Sequence, residues 1–261
     1  MFKHHQDTIN NVIKKMQEDS NVLALIIGGS IAHGFAKEDS DVDIMIVVSE
    51  EEYESKYKEN KLTYWEKDSC TYEQGYVDGK YISIDFMNKV SKHGSEAARF
   101  AFKDAFVAYS KIDGIEQLLQ EIARYPKELK EDKMKQFFAQ LYAWNWFYSE
   151  GRNKNNSYLI NQAISNMILF GGRAILAYNE LLFPYHKWFL KVLESANDKP
   201  ADLMKLIDDL LESKSPEAVE NYVQAITGFT DWGIEGSDWP RQFMMDSELG
   251  WMTGNCSIYD I

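Results

Sequence analysis

The sequence predicts an α/β half followed by an α-helical half, and three observations carry that expectation. Apolar runs at 22–27 and 42–48 have the length and continuity of buried strands, the first of them ending at Gly28-Gly29. Beyond Tyr125-Pro126 no convincing strand remains, and stretches with helical spacing follow one another. Pro184, Pro200 and Pro216 fall at the breaks between those stretches, where a ring without an N–H is tolerated. Two domains are therefore expected, 1–125 and 126–261.

In chain order, Ile9, Val12, Ile13 and Met16 recur at helical spacing, so an amphipathic helix over 3–19 needs a sheet or another helix to cover it. Strand 22–27 stops at the glycine pair, and a loop of small and polar residues leads to strand 42–48, interrupted only by Asp43. The charged stretch 50–61 reads as a helix. Runs 71–77 and 80–87 flank Asp78-Gly79, a dipeptide that accepts positive φ at both centres of a tight turn, so a β-hairpin is expected there. Its second arm would place Asp85 between Ile84 and Phe86. A helix near 95–103, a strand at 106–109 and a helix at 115–123 complete the first half. Helices at 127–149, 158–181, 186–194, 201–211 and 217–229 make up the second.

The 261 residues carry 28 Lys+Arg against 41 Asp+Glu, a formal net charge of −13. Proteins that grip a phosphodiester backbone usually present a basic face, because neutralising phosphates supplies most of the non-specific affinity. No nucleic-acid partner is expected here; an acidic surface suits cationic partners or simple solubility. Cys70 and Cys256 belong to no CxxC or Cys/His spacing, which argues against a zinc site and a disulfide framework. The N-terminal residues lack the apolar stretch of a signal peptide, and no segment approaches the roughly 18 apolar residues of a membrane span. A soluble, cytoplasmic protein without a membrane partner is the expectation.

Chemistry concentrates between the first two strands. Asp41 and Asp43 stand two residues apart on an extended segment, so their carboxylates share a face and can converge on one cation cluster. An unpaired carboxylate within Val42-Asp43-Ile44-Met45-Ile46 would cost several kcal/mol. Mg²⁺, a hard ion that takes oxygen ligands and usually brings phosphate oxygens with it, is the natural compensation. Gly28-Gly29-Ser30 permits close backbone approach and offers N–H groups and a hydroxyl to phosphate. Asp85 is the third acid: in a strand beside the Asp41/Asp43 strand, its side chain would reach the same metals or an attacking hydroxyl. His33 and Asp39 read as a solvent-facing loop histidine and a loop acid.

Gly29-Ser30, a ten-residue gap, Asp41-x-Asp43 on an apolar strand and a later strand carboxylate resemble the nucleotidyltransferase superfamily that includes DNA polymerase β and the antibiotic nucleotidyltransferases. The fuller string, Gly29-Ser30-x-Ala32-x-Gly34 with Ser40-Asp41-x-Asp43-Ile44, is most similar to the branch that modifies small molecules. The resemblance covers about residues 20–110. It implies a mixed sheet with flanking helices, with Ser30 and Gly29 at the nucleotide's phosphates, Ser40 near them, and Asp41 and Asp43 holding Mg²⁺. Asp85 would complete a metal site or serve as general base. Two Mg²⁺ ions, a nucleoside triphosphate such as ATP as donor, and a small-molecule hydroxyl as acceptor, aminoglycoside- or lincosamide-like, follow from the same resemblance. A protein acceptor, or a non-catalytic nucleotide-binding or antitoxin-like module, are the competing functions.

In the antibiotic-modifying members a helical C-terminal domain closes over the nucleotide and forms most of the acceptor pocket, and 126–261 resembles that domain. Lys187, just after the break at Pro184, is placed to meet the triphosphate or simply to start a helix; Arg173 is a second cation for the same role. From residue 231 onward six acids (Asp231, Glu235, Asp238, Asp246, Glu248 and Asp260) face one base, Arg241, and are interleaved with Trp232, Trp239 and Trp251. That string suits a cationic amino-sugar acceptor. A tail that docks its tryptophans and leaves its acids in water would read the same.

Overall fold

The computed structural model describes residues 1–254; Cys256 and Asp260 lie outside the described residues. The chain divides into two compact units, one spanning Met1–Arg124 and the other beginning at Tyr125. The first contains α1 (Lys3–Glu18), β1 (Val22–Ile27), α2 (Gly29–Ala32), β2 (Val42–Val48), α3 (Glu50–Lys58), β3 (Thr63–Glu66), β4 (Val77–Ile82), α4 (Ile84–His93), α5 (Glu96–Phe100), β5 (Phe106–Ser110) and α6 (Ile115–Ile122).

The five strands form a mixed sheet in the order β3-β4-β2-β1-β5, in which β2 and β4 are parallel and the other neighbours antiparallel. Alternation along the strands divides the core between the two faces. Ile9, Val12 and Met16 of α1 pack with Leu25, Ile27, Ile44 and Ile46 on one face. Met87 and Val90 of α4 with Leu119 and Ile122 of α6 cover Ala24, Ile26, Met45 and Val47 on the other. Asp43 belongs to this second face and stands at the strand's N-terminal end, before the apolar packing begins.

The expected hairpin at Asp78-Gly79 is not formed. β4 runs straight through the dipeptide, parallel to β2 and antiparallel to β3, a strand the sequence pattern did not reveal. Gly79 is required there by a close approach rather than a turn: a Cβ on it would lie 2.4 Å from the Ile44 carbonyl oxygen and 2.5 Å from Ile44 Cγ1. The expected arm over 80–87 also breaks. Ser83 caps α4 by accepting a hydrogen bond from the Phe86 N–H at 3.1 Å, and the buried pair Met87 and Val90 is spaced for a helix.

The second unit is helical: α7 (Lys130–Asn153), α8 (Ser157–Tyr178), α9 (Phe189–Glu194), α10 (Leu203–Ser213), α11 (Pro216–Thr227) and α12 (Trp239–Phe243), with short single turns between and after them. α7 packs along α8, burying Phe137, Phe138, Leu141, Ile164, Met167 and Phe170. Among the described residues no helix is long and apolar enough to cross a membrane.

Candidate active site

The turn after β1 and the start of β2 are built around one contact. Gly29 has φ +59°, and a Cβ on it would lie 1.7 Å from Asp43 Oδ2, so the carboxylate sits against the bare glycine backbone. Only glycine satisfies both the left-handed conformation and that approach. The Gly28 N–H donates to the Asp43 carbonyl at 3.0 Å and fixes the turn to the strand. Next to it, Ser30 is 6% exposed, and its Oγ is buried without a hydrogen-bond partner among the described residues. Burying a hydroxyl unsatisfied is costly, so such an atom points to a group it is built to meet. Ser40 lies close in sequence but is differently engaged: its Oγ accepts from the Lys37 N–H at 2.9 Å, and its carbonyl accepts from Tyr72 Oη at 2.5 Å.

Three carboxylates share the neighbourhood. Asp41 and Asp43 are both half-buried, and the parallel register sets Asp78 of β4 directly beside Asp43. Tyr76 registers them together. The charge of Asp41 and the hydrogen bond it accepts push the phenol above its ordinary pKa of 10.0, with desolvation, Asp78 and Asp43 adding to the effect. No three His, Cys, Asp or Glu side chains among the described residues converge closely enough to enclose one ion. A pair of carboxylates beside a phosphate cradle is nonetheless what Mg²⁺ commonly uses, since it is held through one or two carboxylates plus substrate phosphates. The donor set therefore fits that ion.

Asp85 is not part of this group. It lies in the first turn of α4, beyond the C-terminal end of β4, where Ile82 pairs with Val47. That level is four residues, about 13 Å, along β2 from Asp43. Its carboxylate pairs with Lys89 at 2.6 Å and is 53% exposed, and its N–H donates to Glu50 Oε1 at 2.8 Å. The physical reason is register: because β4 pairs with β2 in parallel, the acid beside Asp43 must come from the N-terminal end of β4. The sequence held one usable signal for Asp78. Val77, Gly79 and Tyr81 alternate with Asp78, Lys80 and Ile82, which is a strand's period running through the supposed turn.

His33 also departs from expectation. Its side chain is 4% exposed, lies tilted against Phe100 with ring centroids 4.5 Å apart, and meets Asp104 at 3.3 Å through Nδ1. Desolvation lowers its pKa, and Asp104 only partly opposes that.

In the second unit Lys187 is exposed, in the single turn His186–Trp188, with its ammonium 5.1 Å from the Trp188 ring centroid. Arg173 is 1% exposed, its guanidinium 4.4 Å from the Phe137 ring and 4.5 Å from the Phe183 ring. Enclosed in this way, it cannot be the cation that meets a triphosphate. In the tail the tryptophans differ in burial. Trp232 is buried and its indole N–H donates to the Ile226 carbonyl at 3.0 Å, whereas Trp251, Asp231, Glu235, Asp238 and Glu248 are exposed. Asp246 is pushed up by burial despite hydrogen bonds from Gln242 and Gln136.

A mixed sheet that sets a carboxylate pair beside a Gly-Ser turn defines the class of α/β domain to which this half of the chain belongs. Residues 9–139, half of the chain, match the family model of the nucleotidyltransferase domain, and the chain belongs to that family. No curated protein matches it in sequence. Among solved structures, a nucleotidyltransferase-like protein from Exiguobacterium sibiricum is 12% identical over 94% of this chain and 80% of its own, with a TM-score of 0.47. The spectinomycin adenyltransferase AAD(9) from Enterococcus faecialis, solved with ATP and spectinomycin, is 14% identical over 92% of this chain and 96% of its own, with a TM-score of 0.34.

Proposed function

We propose that this nucleotidyltransferase places a nucleoside monophosphate, AMP from ATP, on a hydroxyl of a small molecule and releases pyrophosphate. The observation that carries the proposal is the Gly29–Asp43 contact with the unpartnered Ser30 Oγ beside it, an arrangement that would suit a phosphate next to a metal-holding carboxylate. Ser30 and the Gly29 backbone would hold the terminal phosphates, with Ser40 as a further phosphate contact. Ser40 keeps its own hydroxyl proton to give, since its Oγ accepts from Lys37. Asp41 and Asp43 would hold Mg²⁺, which supplies charge neutralisation at the α-phosphate when bound. Asp78 takes the place expected of Asp85. One of its oxygens accepts from the Gly79 N–H at 2.8 Å, and the other is available to receive the acceptor's proton. The acceptor oxygen then attacks the α-phosphorus in line, and the bond to the bridging oxygen breaks with its electron pair leaving on pyrophosphate.

The second unit supports a cationic acceptor. A hollow in it is walled by Asp132, Asp231, Glu235 and Asp238 beside Phe138 and Trp232, with Lys135 and Arg241 only partly offsetting the charge. The test is incubation with Mg²⁺, each nucleoside triphosphate and a panel of aminoglycosides, lincosamides and neutral polyols. Pyrophosphate release with a mass gain of one nucleoside monophosphate on an acceptor is expected, and both should vanish in Asp43→Asn. Transfer only to a protein, or no transfer at all, would overturn the small-molecule assignment.

A further inference from the structure

Lys80 is the cation that β4 carries beside the candidate site. Lys15, Lys56 and Lys89 are each tied to an acid (Glu66, Glu52 and Asp85), the last two at 3.0 and 2.6 Å. Lys80 forms no close ion pair among the described residues; desolvation by burial lowers its pKa, and the charge of Asp43 opposes that shift. Its position follows from the register. Asp43 lies beside Asp78 and Met45 beside Lys80, and side chains two apart on a strand share a face. Asp43, Asp78 and Lys80 therefore emerge on one face of adjacent strands, with Lys80 one step deeper toward the apolar packing of Met45 and Ile82. The residue as a whole is exposed at the sheet surface. A long flexible cation beside a carboxylate pair and a phosphate cradle is a point charge at the place where a polyphosphate's negative charge would lie.

We propose that Lys80 is a phosphate-contacting residue of this site, its ammonium donating to the phosphate chain held between the Gly29-Ser30 turn and the Asp41/Asp43 pair. The proposal rests on the nucleotidyl-transfer function above. Its test uses inorganic tripolyphosphate with Mg²⁺, a probe indifferent to the nucleotide base, and separately Mg²⁺ alone, both by calorimetry on the full chain. Lys80→Met should weaken binding of Mg²⁺-tripolyphosphate by about tenfold or more, the loss of one charge-assisted contact. Lys80→Arg, which keeps the charge, should stay within about threefold of wild type. Mg²⁺ alone should bind Lys80→Met as tightly as wild type or more tightly, because a cation has been removed from beside Asp43.

The last readout separates phosphate contact from a structural role. If Lys80 only oriented Asp43, its loss would weaken Mg²⁺ alone as much as the complex, and that result overturns the proposal. Unchanged Mg²⁺-tripolyphosphate affinity in Lys80→Met overturns it as well. Failure of the wild-type protein to bind Mg²⁺-tripolyphosphate at all would instead remove the nucleotidyl-transfer function itself, and Lys80's role with it.

Discussion

Asp78 and Asp85 are seven positions apart, and the chain treats them oppositely. Asp78 stands level with Asp43 in the sheet, whereas Asp85 opens a helix at the far end of the strand and pairs with Lys89. Asp78→Asn should lower the rate of pyrophosphate release by about a hundredfold or more, the usual worth of a positioned proton acceptor. Asp85→Asn should leave that rate within about twofold and change stability by less than about 1 kcal/mol, since it removes an exposed helix-surface pair and a first-turn charge. Rates measured side by side, with urea midpoints for both variants, decide the matter; a rate loss confined to Asp85→Asn would return the third-acid role to α4. The contrast also shows what was legible at this scale. Gly29, Ser30, Asp41 and Asp43 were readable because a turn and a strand's alternation are local properties. The partner of Asp43 was not, because strand pairing joins residues 35 positions apart and leaves no mark in either segment alone.

Among elements, β4 decides the site, and Gly79 decides how closely β4 can lie against β2. Gly79→Ala puts a methyl 2.4 Å from a backbone oxygen that cannot turn aside, so the strands must part. The expected cost is about 1–3 kcal/mol of stability, together with a fall in transfer rate as Asp78 moves away from Asp43. Ser83→Ala, four residues on, is the control. It deletes the α4 cap at a cost of about 1 kcal/mol and should leave the rate unchanged, because α4 holds none of the proposed site. Denaturant midpoints paired with initial rates for both variants check this, and equal rate losses would mean that the sheet end is sensitive to any destabilisation. The same segment explains why the elements here were misread. Asp78-Gly79 carries the composition of a hairpin turn and Ile84-Asp85-Phe86 the alternation of a strand, yet tertiary contact overrides both. The glycine answers Ile44, and Ser83 begins a helix whose buried face is Met87 and Val90. The helical unit was easier to read because helix periodicity is local and repeated.

For the whole molecule, the −13 charge is not a uniform skin. Before residue 126 there are 15 bases and 22 acids, and after it 13 and 19. In the first unit some of the excess would be neutralised by Mg²⁺ under the proposed function, and in the second it gathers beyond residue 230. What threatens the fold on acidification is a different set of groups. His5, fully buried, has its pKa lowered by desolvation first and by His4. His33 is lowered by desolvation with Asp104 opposing. Both therefore take up a proton less readily in the fold than in the unfolded chain, which protonates near the ordinary 6.5. The sign follows from proton counting: their stability contribution is complete above pH 6.5 and is lost as pH falls through the lowered folded values. Each histidine can add at most about 1.4 kcal/mol per pH unit to the slope of stability against pH in that window. Urea denaturation between pH 7.5 and pH 5 should therefore show stability falling toward acid from near pH 6.5, and His5→Phe should flatten part of that slope without steepening it at any pH. Equal slopes in wild type and His5→Phe would mean that His5 titrates alike in the folded and unfolded chain, and the acid sensitivity would not come from His5.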